Sequence, residues 1–472
     1  MFLKSTFITR LSTPKVTRRE TQASKQPHNM QPIDLLTSLP ASLACVVFKD
    51  WLTLKSVVAL DYAYCANAHR ERFLNLLRSN EYCISQQLPH SIIRSIDLTK
   101  YGNSVRSVYF ADDVPQARAE ALLQHCHHLT HVHFDRIEYI QPELWTLLTL
   151  NPHMECFKIT SNIGRTMNLD GPQFRLIKLP KLRELSLRNV MFTGSEHWLD
   201  AFQMSSNIVR LDLFGSSISQ PILLQIPKFC LRLTHLGLSR TRLSDEVLTT
   251  IAASCQHIVH LDISNNYMLT DESIGNTVQM LKRLQSLCIK QVAGLTDVSL
   301  QHIVTHCANT LHTLHFDNSE QEGEGPYFTR EAINLLLERC LKLRTVHFGT
   351  VPIEYSSNFA FTPAAISNVT TLVLSGGIIC NENLTYLAKY AVNLRILSIY
   401  ENEGDNYVFV QEGLKSLCFG CPQLRELYLF IEHTMPYMQL FFDLWTALKP
   451  QLSIRMYPPH HLAYNVLNIV TV

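Results

Sequence analysis

Residues 255–274, CQHIVHLDISNNYMLTDESI, carry the pattern from which the architecture follows. A cysteine opens the stretch, an apolar residue follows at Ile258, Leu261 and Ile263 alternate with polar neighbours, and a Thr270-Asp271 pair precedes a helical stripe. The same order stands in RLTHLGLSRTRLSDEVLTTIAASC, which begins at Arg232. There Leu233, Leu236 and Leu238 give a short strand, and Ser244-Asp245 sits where a helix N-terminus needs an oxygen acceptor. Val247, Leu248 and Ile251 then share one helical face. LTDESI from Leu269 and LTDVSL from Leu295 repeat the helix start.

Working outward, the apolar residue that opens each such strand recurs at Val105, Leu129, Met154, Leu182, Ile208, Leu233, Ile258, Leu284, Leu311, Leu343, Val369, Leu394, Leu424 and Leu452. Successive anchors lie 24 to 28 residues apart, except for 32 from Leu311 to Leu343 and 30 from Leu394 to Leu424. A strand plus a helix of this size cannot bury its apolar face alone, so the units must stack. The spacing predicts an α/β solenoid over residues 101–456, strands inside and helices outside, with Leu236, Leu261, Leu287 and Leu314 buried on one sheet.

The chain has 472 residues, 46 % hydrophobic and 17 % charged, enough for an extended core. A net charge of +1 provides no global field for nucleic acid or an anionic membrane, and neither is expected as a partner. The longest uncharged run, Tyr355 to Asn381, is broken by Pro363 and Gly376-Gly377 and is too polar to span a membrane. Thirteen cysteines, an odd number spread along the chain, fit a reducing compartment, hence cytoplasm or nucleus. Residues 1–30 differ: Lys4, Arg10, Lys15, Arg18, Arg19 and Lys25 face a lone Glu20. This is either a disordered basic tail or an organelle presequence, and Met30 is an alternative start.

Residues 105 to about 456 resemble the leucine-rich repeat family in its cysteine-containing subtype. Cys126, Cys230, Cys255, Cys340 and Cys421 lie three residues ahead of an anchor and Cys307 four. The resemblance implies a right-handed horseshoe. The cysteines read as buried small apolar fillers. Cys418 and Cys421 form a CxxC without a second pair, so no metal and no cofactor are expected. The turn position that the family fills with Asn or Cys holds Asn266 once, but Val190, Ser216, Thr241 and Val292 elsewhere. Two units are lengthened by acidic insertions, DNSEQEGEGPYF and YENEGDNY.

Residues 31–100 do not follow the repeat. Apolar residues there recur at helical spacing, and Leu39-Pro40 followed by Leu43, Val47, Phe48 and Trp51, with Leu60 in a second stripe, is similar to the F-box. The resemblance implies docking onto a Skp-type adaptor of a cullin ubiquitin ligase through Leu39, Pro40, Leu43, Val47, Phe48, Trp51 and Leu60. Ser42 stands where the family has an acid, and its late Trp has no counterpart. An F-box-like unit ahead of such repeats implies the substrate-recognition subunit of an SCF-like ligase, holding an unknown target protein. The alternatives are an interaction scaffold with no ubiquitin role and, from the leader, an imported assembly factor. The rival reading of the segment is a plain helical cap over the open end of the solenoid.

In a stacked array the outward strand residues form columns on a concave face. His235 and His260 fall on neighbouring strands, as do His315 and His347. No nucleophile elbow or phosphate loop accompanies them, and an open ladder offers no closed pocket, so recognition rather than catalysis is expected. Asp212, His235, His260, Asp262, Tyr400, Tyr428 and Phe430 are the candidate target-binding residues. Tyr428 and Phe430 have a second reading, packed under a C-terminal cap formed by residues 457–472.

Overall fold

The computed structural model describes residues 105–110, 116–140, 142–148, 150–162, 167–170, 179–193, 207–317, 328–351, 361–376, 381–400, 411–430 and 452–457. The leader, the F-box-like residues Leu39, Pro40, Leu43, Val47, Phe48, Trp51 and Leu60, most of both acidic insertions, and residues 458–472 lie outside the described residues. Two compact units divide the chain, one up to Ile159 together with Leu176–Leu182, the other Thr160–Arg175 with Arg183–Val472.

In the first unit, β1 (Ser107–Phe110), α1 (Gln116–His125), β2 (His131–Ile137), α2 (Pro142–Leu148) and the start of β3 (Cys156–Ser161) succeed one another. β1 and β2 are parallel, Ser107 opposite His131 through Phe110 opposite Phe134. Large rings fill this unit: Phe110 stacks on Phe134 at 4.9 Å, and Phe157 meets Phe134 at 6.3 Å and Trp145 at 6.0 Å edge-on.

The second unit repeats one strand and one helix. After β4 (Met167–Asp170), β5 (Glu184–Arg188), β6 (Val190–Thr193) and β7 (Arg210–Asp212) come α3 (Gln220–Leu223), α4 (Ile226–Phe229), β8 (His235–Gly237), α5 (Asp245–Ser254), β9 (His260–Asp262) and α6 (Asp271–Met280). Then follow β10 (Ser286–Ile289), α7 (Asp297–Cys307), β11 (Thr313–Phe316), α8 (Arg330–Arg339), β12 (Thr345–Val351), α9 (Pro363–Ser367), β13 (Thr371–Gly376), α10 (Asn381–Tyr390), β14 (Ile396–Tyr400), α11 (Gln411–Gly420), β15 (Glu426–Phe430) and β16 (Ser453–Tyr457). One parallel sheet runs β5-β7-β8 and on in sequence to β16. Leu236, Leu261, Leu287 and Leu314 are register partners on consecutive strands and are at most 2 % exposed, as the periodicity predicts. Every anchor is buried except Leu452, which is partly exposed.

Three features tie neighbouring repeats. The first is a chain of helix caps. Thr270 caps α6, while Asp245 of the preceding helix accepts from the Thr270 N–H at 3.1 Å and hydroxyl at 2.7 Å. Asp271 does the same for Thr296 (2.9 and 2.6 Å), and Asp297 for Thr329 (both 2.7 Å). Asn334 takes the Thr362 N–H at 3.0 Å, and Asn381 the Gly413 N–H at 2.8 Å. The Thr-Asp pair of the sequence thus caps its own helix with the first residue and the next helix with the second.

Second, Asn266 is fully buried at the turn. Its Oδ1 accepts from the N–H groups of Thr241 (3.2 Å) and Leu243 (2.9 Å), while Nδ2 donates to Leu238 O at 2.8 Å and Ile263 O at 2.9 Å. Third, one residue after each of several strands is left-handed: Asn189, Gly215, Arg240, Asn265 and Gln291 have φ from 51° to 67°. That turn keeps the main chain in the inter-repeat ladder, as in Gly215 N–H to Ser239 O at 2.8 Å and Asn265 N–H to Lys290 O at 2.7 Å. Most occupants are not glycine, so each carries the left-handed steric penalty of about 1 kcal/mol.

The array departs from regularity at two places. α3 and α4 are four-residue helices, each opened by a proline, Pro221 and Pro227, where each repeat from β8 to β15 has one longer helix. β4 and β6 form a separate parallel pair, Met167 opposite Val190 through Asp170 opposite Thr193.

Candidate recognition face

Alternation along the strands turns the leucines inward and leaves a polar face made of the residues between them. Register places Arg210, His235, His260 and Ser286 in one row. His235 and His260 stack, with ring centroids 4.1 Å apart and planes 17° from parallel. Burial holds both imidazoles below their usual range. His235 falls to about 4, with His260 and Arg210 adding to the effect. Thr234 Oγ1 lies 2.8 Å from His235 Nδ1 and fixes that ring. Arg210 is exposed beside them.

The next row holds Ser186, Asp212, Gly237, Asp262 and Cys288. Arg188 grips Asp212 Oδ2 at 2.6 Å and lies 5.8 Å from the Phe214 ring. Asp212 leans over its neighbour strand: a Cβ on Gly237 would stand 2.9 Å from Asp212 Oδ1, which is why that strand carries a glycine. Burial pushes the Asp262 carboxyl up, and the charge of Asp212 pushes the same way. Four of the residues singled out by sequence, Asp212, His235, His260 and Asp262, therefore meet on β7, β8 and β9.

Tyr400, Tyr428 and Phe430 are placed differently. They are 7 %, 5 % and 4 % exposed and form one buried cluster with Val373, against which Ile396 packs. Tyr400 and Phe430 stack at 4.2 Å, and the Tyr428 hydroxyl donates to Glu426. Arg455 on β16 lies 5.6 Å from the Tyr428 ring. Tyr400, Tyr428 and Phe430 are buried against one another and form no open aromatic patch, while residues 458–472 of the expected cap lie outside the described residues.

The nine described cysteines are free thiols and buried. Burial pushes Cys126, Cys230, Cys340, Cys418 and Cys421 up to about 12, far from a nucleophilic thiolate. They also bridge repeats as weak donors: Cys255 Sγ to Cys230 O at 3.6 Å and Cys421 Sγ to Leu387 O at 3.7 Å. Among the described residues, no group of three His, Cys, Asp or Glu side chains is arranged to hold a metal, and no helix is long and apolar enough to cross a membrane. In QHCHHLTHVHF, His131 is exposed while His133 meets Tyr109 edge-on at 4.9 Å.

No family model matches the chain, and no curated protein matches it. Solved structures do. A chain of the yeast Rad7–Elc1 complex is 16 % identical with a TM-score of 0.51, covering 85 % of this chain and 98 % of that one. The fold is leucine-rich-repeat-like. An internalin, InlF, from Listeria monocytogenes str. 4b F2365 is 14 % identical (TM-score 0.38, covering 72 % of this chain and 92 % of that chain). TLR13 in its complex with ssRNA13 is 15 % identical (TM-score 0.37, covering 78 % and 64 %).

The leucine-rich-repeat-like array brings forward residues that the sequence ranked low. Arg210, Lys290, His315 and His347 all stand in the columns, yet strand position alone did not separate them from their neighbours. Among the described residues Arg210 and Lys290 make no ion pair, which strand position alone does not tell.

Proposed function

We propose that this chain is the substrate-recognition subunit of a cullin-type, SCF-like ubiquitin ligase. In this reading the segment containing Leu39, Pro40, Leu43, Val47, Phe48, Trp51 and Leu60 docks a Skp-type adaptor, and the polar strand face holds a target protein for ubiquitin transfer by another subunit. The observation that supports it best is the polar face itself. It is a parallel ladder on which Arg210, the His235–His260 stack, Asp212 and Asp262 meet. Open polar ladders with aromatic and charged side chains suit protein contact, and the chain itself performs no chemistry. The fold shared with a chain of a two-protein complex, Rad7–Elc1, is in keeping with a role inside an assembly. Free buried thiols are in keeping with a cytoplasmic or nuclear location.

The test replaces Val47 and Phe48 by Ala in the full chain and measures adaptor co-purification. The expected result is loss of the adaptor with unchanged melting of the repeats. Retention of the adaptor by the double variant refutes the docking site. If the wild-type chain captures no adaptor at all, a leucine-rich-repeat scaffold without a ubiquitin role takes its place.

A further inference from the structure

The two ends of the strands in the second unit carry opposite charge. Where the strands hand over to helices, the first turn of α5, α6, α7, α8, α10 and α11 holds at least one acid, from Asp245 and Glu246 in α5 to Glu412 in α11. Helix starts favour that sign. The turns that lead from the helices back into β8 through β15 hold cations, Arg232 first and Arg425 last, and no Asp or Glu.

Arg344, Thr370, Arg395 and Arg425 immediately precede β12, β13, β14 and β15. Main-chain bonds stitch them into one row: Thr370 N–H to Arg344 O, Arg395 N–H to Thr370 O and Arg425 N–H to Arg395 O, each 2.8 Å. The backbones of Arg395 and Arg425 are therefore neighbours at the strand spacing of about 4.8 Å. Lys342 and the three arginines are exposed, and none makes an ion pair among the described residues. Glu426, next to Arg425, accepts instead from the Tyr428 hydroxyl. Like charges side by side on adjacent strands repel. The helix dipole does not account for them, since its influence fades within the last turn and Arg395 and Arg425 lie beyond it, past Tyr390 and Gly420.

Apolar side chains share this edge. Leu341 is 61 % and Val392 46 % exposed, each two residues ahead of its anchor, Leu343 or Leu394. Arg344 Nη1 donates to Leu341 O at 2.7 Å and to Leu343 O at 3.0 Å, which ties its guanidinium to the turn that presents Leu341.

We propose that Leu341, Lys342, Arg344, Val392, Arg395 and Arg425 form an edge that docks an acidic segment of a partner protein, one in which apolar residues are interspersed among Asp and Glu. Carboxylates of the segment neutralise the Arg395–Arg425 pair and the Lys342–Arg344 group, and its apolar side chains cover Leu341 and Val392. Charge complementarity sets the sign of the partner. The exposed aliphatic residues choose a protein over nucleic acid, whose backbone offers phosphate and sugar. A row one strand start wide chooses a chain segment over a membrane plane. This edge is separate from the polar strand face, and its role does not depend on the ligase reading.

The experiment titrates the full chain with a fluorescein-labelled peptide of Glu-Glu-Leu repeats by anisotropy, with octaglutamate, oligothymidylate and phosphatidylserine vesicles as comparators. Saturable binding of the Glu-Glu-Leu peptide is expected, tighter than that of any comparator and weakened at least tenfold by Arg395→Gln combined with Arg425→Gln. The melting temperature of that variant is expected to hold or rise, since two repelling charges are gone. Arg240→Gln with Arg242→Gln removes the same charge from exposed positions at the opposite strand ends and should leave binding unaltered. Leu341→Ser with Val392→Ser should weaken the Glu-Glu-Leu peptide at least threefold and octaglutamate not at all. Absence of saturable binding, or equal losses from the two arginine pairs, overturns the site. Tighter binding of oligothymidylate or of vesicles overturns the choice of a protein segment, and an equal effect of the serine variant on both peptides overturns the apolar contact. A lower melting temperature for the Arg395/Arg425 variant overturns the repulsion. The titration uses neither adaptor nor strand-face target, so its failure leaves the Val47/Phe48 co-purification result standing, and the reverse holds as well.

Discussion

Strands β7 to β9 and strands β13 to β15 occupy the same place in their repeats, yet their outward residues have opposite fates. On β7 to β9 the middle outward position holds Asp212, Gly237 and Asp262, all partly exposed, with Arg188 braced against Asp212. On β13 to β15 it holds Val373, Ser398 and Tyr428, all buried, with Tyr400 and Phe430 stacked in the next row. Strand alternation fixes which way a side chain leaves the sheet, and no more. Whether it then meets water depends on the size of its lateral neighbours. Aromatic rings 4.2 Å apart exclude water, whereas a glycine between two aspartates does not.

The largest test of that contrast is truncation. Phe430→Ala or Tyr428→Ala is expected to lower stability by about 3–5 kcal/mol in urea unfolding, the range for a buried aromatic, while Arg210→Ala changes it by less than about 0.5 kcal/mol. Equal effects in the two regions would abolish the distinction. Next in size is Asn266→Ala, which strips partners from buried groups of both neighbouring repeats. A loss of about 2–3 kcal/mol is expected, and Asn266→Asp should recover little of it because the Nδ2 donors are absent. Asp271→Ala removes the shared cap of Thr296 and should cost about 1–2 kcal/mol. A smaller loss there would mean that water replaces the carboxylate.

The smallest effect expected is the response of the open half to acid. His235 and His260 have folded pKa values below the unfolded value, so the unfolded chain binds protons first as pH falls. Their stability contribution is complete above about pH 6.5 and is lost as pH falls toward 4. His235→Gln should flatten that slope without altering stability at pH 8. An unchanged slope would assign the acid sensitivity to the buried His315–His347 pair.

The repeats were legible because their signal is repeated: a spacing near 26 residues and a Leu-x-Leu core recur whatever fills the gaps. Four candidate site residues meet as expected because register follows from that spacing. For Tyr428 and Phe430 the sequence left burial and exposure side by side, and the burial of Tyr400 was not legible, since both depend on contacts between residues far apart along the chain. The same limit hid the second role of the Thr-Asp pair. Asp245 and Thr270 are 25 residues apart, and local pattern reading sees only the cap that lies beside each helix.

That chain of caps has a direction. Asp245, Asp271, Asp297, Asn334 and Asn381 each serve the helix that follows, never the one before. During synthesis from the N-terminus, every helix from α6 to α9, and α11 after them, therefore leaves the ribosome with an acceptor for its first amide already in place. Loss of the last repeat leaves only an idle carboxylate or amide exposed to water, whereas loss of the first takes away an acceptor at the next helix start, which keeps its own Thr cap. The array is built to grow, and to fray, from its C-terminal end.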